Sequence, residues 1–113
     1  MSVAHVVLLG PMGAGKTTLG RELARRLEVD LVDSDEVILA LTDQTAAELA
    51  VSKGVPGLHD LERSVVAEAL QSPSRKVIAA AASVVDDRST RELLSRHLCL
   101  WVAADEVTLA RRR

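Results

Sequence analysis

The chain has 113 residues, with 14 Lys and Arg against 16 Asp and Glu, a net charge of −2 and one aromatic residue, Trp101. That length fits one domain, 1–113, whose core must be built from Leu, Val, Ile and Ala. Balanced charge and the lack of aromatic platforms argue against a nucleic-acid surface.

The stretch Val3-Ala4-His5-Val6-Val7-Leu8-Leu9 is short, β-branched and apolar, and reads as a buried strand. It is too short for a membrane span and lacks the charged flank of a signal peptide, so a soluble, cytoplasmic protein with no membrane partner is expected. Gly10-Pro11-Met12-Gly13-Ala14-Gly15-Lys16-Thr17 follows and fits Gly-x-x-x-x-Gly-Lys-[Ser/Thr] at every fixed position. Leu19, Leu23 and Leu27 then recur every four residues between Arg21, Glu22, Arg25 and Arg26, which predicts a helix with one apolar face. Strand, glycine-rich turn and helix are the context in which this motif binds phosphate. Gly10, Gly13 and Gly15 let the backbone curl so that its N–H groups converge on phosphate oxygens, beside the positive end of the helix. The motif assigns Gly10, Met12, Gly13, Ala14, Gly15, Lys16, Thr17 and Thr18 to nucleotide binding, with the Lys16 ammonium on the β- and γ-phosphates of ATP and the Thr17 hydroxyl on Mg²⁺.

Val29 to Asp33 predicts a second strand, ending in Asp33-Ser34-Asp35. Alone, Asp33 or Ser34 reads as the cap of the next helix. At a strand's C-terminal end beside a phosphate loop, one carboxylate can instead serve Mg²⁺ while the other accepts a proton or binds a hydroxyl. A helix through Val37 to Leu41 stops near Thr42-Asp43, an Ala-rich helix from Thr45 to Lys53 is closed by Gly54, and Val55-Pro56-Gly57 reads as a turn. Leu58, Leu61, Val65, Val66, Ala69 and Leu70 mark a longer amphipathic helix ending at Ser72-Pro73; together these helices make a side lobe. Arg75 to Ala82 is a third strand, apolar on both faces and hence central and parallel. Asp86-Asp87 opens a helix from Arg88 to His97 with Leu93 and Leu94 inward, and Leu98 to Val102 is a fourth strand, with Cys99 a reduced core residue. Asp105 is expected to cap a last helix that runs to Arg111-Arg112-Arg113, where the chain stops in mid-element.

These residues resemble the shikimate kinase family of P-loop proteins, over the whole chain. Gly-Pro-Met-Gly-Ala-Gly-Lys-Thr-Thr is the family's wording of the loop, and Asp33-Ser34-Asp35 is similar to the pair whose first Asp serves Mg²⁺ and whose second binds the substrate hydroxyl. The resemblance implies an α/β fold of P-loop NTPase type, a parallel sheet flanked by helices in the order 2-3-1-4. It also implies that the last strand, the lid and a second substrate arginine lie beyond Arg113, leaving the domain incomplete at that end. It implies ATP-dependent phosphoryl transfer to the hydroxyl of a small carboxylic acid, shikimate, by a protein that is a monomer if complete, with Lys16, Asp35 and Arg112 as catalytic residues. Read alone, His59 is an exposed histidine at a helix start; by resemblance it stands where the family has the arginine that clamps the substrate carboxylate, with Glu62 one turn on to keep it charged. Ala81, Ala82 and Ser83 stand at the family's Gly-Gly-Gly; read alone they are a strand end, and by resemblance they meet the substrate. The alternative these departures raise is a nucleotide-binding relative with a degenerate acceptor site and no catalysis.

Overall fold

The computed structural model describes residues 3–11, 15–103 and 106–109. Its elements are β1 (Val6–Gly10), α1 (Lys16–Leu27), β2 (Asp30–Asp33), α2 (Ser34–Thr42), α3 (Ala46–Ser52), α4 (Gly54–Leu70), β3 (Lys76–Ala81), a 3₁₀ turn (Ala82–Asp86), α5 (Arg88–Leu94), β4 (Leu98–Ala103) and β5 (Glu106–Leu109). The strands form one sheet in the order β2-β3-β1-β4-β5. The first four are parallel, with β1 and β3 central, as the apolar run of β3 predicts for that strand and the resemblance implies for the order.

Alternation along β1 builds two cores. Val7 and Leu9 face α4 and α5, packing with Val66, Ile78, Val84 and Leu94, with Trp101 against the edge of this cluster. Val6 and Leu8 face α1, with Ala24, Val77 and Val102. Val7, Leu8, Val77 and Ile78 are fully buried, each contributing about 1.5–3 kcal/mol. A third cluster of Ile38, Leu49, Leu58 and Val65 holds α2, α3 and α4 together as the side lobe. Gly10 closes β1 at φ +154°, and a Cβ there would stand 2.2 Å from the Val102 carbonyl oxygen. Only glycine fits where the two strands approach so closely.

Several local expectations change. Residues 106–109 form a strand and not a helix; β5 runs antiparallel to β4, pairing Leu100 with Leu109 and Val102 with Val107. The open hydrogen-bonding edge of the apolar β4 supplies the reason. The predicted Asp105 cap and Arg111–Arg113 lie outside the described residues. Val55-Pro56-Gly57 is the first turn of α4, where a proline's missing N–H costs nothing; Gly54, at φ +78°, does close α3. Thr45 caps α3 in a reciprocal box with Glu48. Leu94 is buried but Leu93 is exposed, and α5 ends there, short of His97. No helix among the described residues is long and apolar enough to cross a membrane.

At the sheet's other end, His5 is buried and joins three elements. Its Nδ1 accepts from the Lys76 N–H at 3.1 Å, so the ring proton is on Nε2, which donates to the Leu70 carbonyl at 3.1 Å. The His5 N–H in turn donates to Nδ1 of His97 at 3.0 Å. Burial, then His5 and Arg96, hold the His97 imidazole below its ordinary value. The unfolded chain therefore takes up this proton first, and stability is fully present above about pH 6.5 and falls as pH drops through the lowered folded value. Thermal melts from neutral towards mildly acidic pH should show a falling midpoint, and His97→Asn, which can still accept from His5, should flatten that slope. An unchanged slope in the variant would assign the acid sensitivity elsewhere.

Candidate active site

The site is assembled at the C-terminal ends of β1, β2 and β3. Gly15 takes φ +89°, with no atom near where its Cβ would be, and turns the chain into α1. No side chain caps α1, and no acidic residue lies in its first turn. The amides of Lys16, Thr17 and Thr18 are thus helix-start donors available to an anion. Lys16 Nζ donates to the Gly10 carbonyl at 2.5 Å and to the Ala80 carbonyl at 3.0 Å, bridging the ends of β1 and β3. Burial lowers its pKa, against the opposing pull of Asp35, Asp33 and Glu62.

Asp33 caps α2 and also reaches the threonine of the phosphate motif. Its Oδ1 accepts from the Asp35 N–H at 2.9 Å and the Glu36 N–H at 3.4 Å, capping α2. Its Oδ2 accepts from the Thr17 hydroxyl at 2.5 Å. A hydroxyl and a carboxylate held together are hard oxygen donors of the kind Mg²⁺ takes alongside phosphate oxygens and water. Among the described residues no group of three or more His, Cys, Asp or Glu side chains could hold a metal by itself. Asp35, one step into α2, reaches the cleft with its pKa raised, first by partial burial and then by Asp33, with Lys16 opposing.

Of the residues singled out from sequence, Gly10, Gly15, Lys16, Thr17, Thr18, Asp35, His59, Ala81, Ala82 and Ser83 line one cleft of about 540 Å³. Asp33 lies behind Thr17 and does not form its wall; Met12, Gly13, Ala14 and Arg112 are outside the described residues. The expected pairing of Glu62 with His59 is not formed. Glu62 instead accepts from the Ser83 hydroxyl at 2.7 Å, because the 3₁₀ turn after β3 brings Ser83 against α4. None of residues 81–83 has positive φ, so replacing glycines there carries no backbone strain. The Glu62–Ser83 link was not foreseen, although a signal existed: Glu62 lies four residues from both Leu58 and Val66, on the apolar stripe of α4. The cleft therefore combines an anion-binding helix start and an ammonium with a carboxylate that protonates more readily than usual, facing a pocket rich in hydrogen-bonding groups.

The chain is similar to known proteins in sequence and in fold. The family model for shikimate kinase matches residues 12–113. The shikimate kinase of Corynebacterium efficiens is 45% identical over 97 residues, which cover 86% of this chain and 56% of that protein. That of Rhodococcus erythropolis is 43% identical over 96 residues, covering 85% and 56%. Among solved structures, the Acinetobacter baumannii shikimate kinase in complex with shikimate has a TM-score of 0.78 at 30% identity, covering 88% of this chain and 56% of that one. The Bacteroides thetaiotaomicron shikimate kinase gives the same score and identity, covering 87% and 56%. The chain spans somewhat over half the length of these relatives.

Proposed function

The chain belongs to the shikimate kinase family, and on that premise we propose that it takes part in transfer of the γ-phosphoryl group of ATP to a hydroxyl of shikimate, giving shikimate 3-phosphate and ADP. The observation that carries this reading is the meeting, in one cleft, of Lys16 at the head of an uncapped helix with Asp35 at the head of the next. The amides of α1 bind the phosphate chain, and the Lys16 ammonium leaves its strand-end carbonyls for the β- and γ-oxygens. The Thr17 hydroxyl and the Asp33 carboxylate would hold Mg²⁺, which would supply positive charge against the phosphates. Asp35 orients the acceptor hydroxyl and takes its proton as oxygen attacks phosphorus and the bond to the β-phosphate oxygen breaks. A pKa above that of an ordinary Asp makes it a better base for this task.

The test is ADP release from Mg·ATP, followed by a coupled assay with and without shikimate, beside calorimetric titrations of each ligand. Release that rises with shikimate is expected. A protein that binds neither ligand and releases no ADP would refute the proposal.

A further inference from the structure

The acidic neighbours of His59 on α4 are both engaged elsewhere. Asp60 pairs with Arg63, and Glu62 accepts from the Ser83 hydroxyl. Among the described residues no carboxylate forms an ion pair with the His59 imidazole. The side chain is half-buried and lines the cleft. Leu58, next to it, packs with Ile38, Leu49 and Val65 and ties this turn of α4 to the side lobe. The imidazole is thus presented to the cleft from an anchored turn, with its nearest acids already taken.

The titratable side chains that line the cleft are Lys16 from α1, Asp35 from α2, and His59 and Glu62 from α4. The part of the wall that follows β3, Ala81 to Ser83, carries no charge. Lys16 serves the phosphates in the proposed reaction. An acceptor that is itself an acid therefore brings its carboxylate to a wall holding two others. Of the described lining residues, His59 alone is left to become a cation against it. An arginine would be charged at every working pH, whereas a free histidine side chain changes charge near pH 6.5, about the middle of the working range.

We propose that His59 makes acceptor binding proton-linked: as imidazolium it holds the carboxylate of the acceptor, and as neutral imidazole it leaves that carboxylate facing Asp35 and Glu62 without a counter-charge. This rests on the reading of the cleft as the site of an acid acceptor. The sign follows from linkage. The anion binds the charged form of the ring better, so binding takes up a proton. Affinity is fully present at low pH and is lost as pH rises through the range in which the ring gives up its charge. The carboxyl of the acceptor stays ionised throughout, since carboxyl groups titrate near pH 4, about two units lower.

The experiment titrates shikimate and its neutral carboxamide analogue into the ADP-saturated protein by calorimetry, in the parent, His59→Arg and His59→Gln. Between about pH 6 and about pH 8.5 the affinity of the parent for shikimate should fall about ten- to a hundredfold, as for loss of a hydrogen bond to a charged group. Near neutral pH, heats measured in two buffers of different ionisation enthalpy should show net proton uptake. The carboxamide should bind with no such slope; titration of Asp35 or of the nucleotide would act on both ligands alike. His59→Arg should bind shikimate tightly across the range, and His59→Gln weakly across it, with ADP affinity unchanged in both. A parent slope that is absent, that is the same for the carboxamide, or that persists in His59→Gln overturns the assignment. Shikimate-dependent ADP release would then still stand as the proposed function. The comparison of the two ligands in the parent needs no variant, so a variant that fails to fold does not weaken the test. Failure of the parent to bind shikimate at any of these pH values removes both proposals together.

Discussion

Asp35→Asn is expected to lower shikimate-dependent ADP release by about 10²–10⁴-fold, the range over which a positioned general base contributes, with little change in ATP-analogue affinity. Asparagine keeps the size of the side chain and an oxygen that can orient the acceptor hydroxyl, but it cannot take the proton. The substitution thus separates orientation from base catalysis. In the parent, burial and the neighbouring Asp33 raise the Asp35 pKa above 3.8. The base form is lost as pH falls through that raised value, so kcat/KM should decline on the acid side of the profile. The variant should lose that limb, because nothing at position 35 then titrates. A decrease smaller than tenfold, with the acid limb intact, would reduce Asp35 to an orienting group.

The second large effect is expected at Lys16. Lys16→Ala removes an ammonium that meets charge developing on the transferring group, a loss of about 10²–10³-fold by analogy with deleting one preorganised donor. Unlike Asp35→Asn, it should also weaken binding of Mg·ATP, because the interaction exists in the ground state. The ligand-free protein gives a further readout. The ammonium holds the carbonyls of Gly10 and Ala80, and losing these bonds should lower stability by about 1 kcal/mol. Lys16→Arg is not a rescue, since a planar, forked guanidinium does not reproduce a point charge between two strand ends. Calorimetric ATP titrations, ADP release and denaturant unfolding check the three parts separately. ATP titration curves that coincide for Lys16→Ala and the parent would confine Lys16 to a structural role.

Features written in short-range pattern were legible. The strand and helix that flank the phosphate motif follow from fixed spacing and from apolar runs, which depend on few distant neighbours, whereas the order of the first four strands came from the family resemblance. Asp33 was legible as a cap, which its Oδ1 forms, while its Oδ2 accepts from Thr17 of the phosphate motif. What could not be read depends on contacts made across the fold. Glu106 to Leu109 is short enough to be helix or strand, and the open edge of β4 decides between them. Leu93 and Leu94 are adjacent on a helix, some 100° apart, so the core takes one and leaves the other. His5 reads as a polar residue in an apolar run; its role depends on the ends of α4 and β3, which arrive 65 and 71 residues later. The link from Ser83 to Glu62 spans 21 residues; the spacing of Glu62 with Leu58 and Val66 marks its burial but does not name its partner.

The first glycine of the phosphate motif has a cause separate from phosphate. Gly10 is kept small by the Val102 carbonyl of the adjacent strand, whereas Gly15 has open space around it and is held only by its backbone angle. The two glycines therefore answer to different selective pressures. In a lineage that gave up its nucleotide, Lys16 and Gly15 would be free to drift, and Gly10 would persist for as long as the sheet did. A glycine at position 10 thus reports on the packing of the sheet, and Gly15 on the turn into α1.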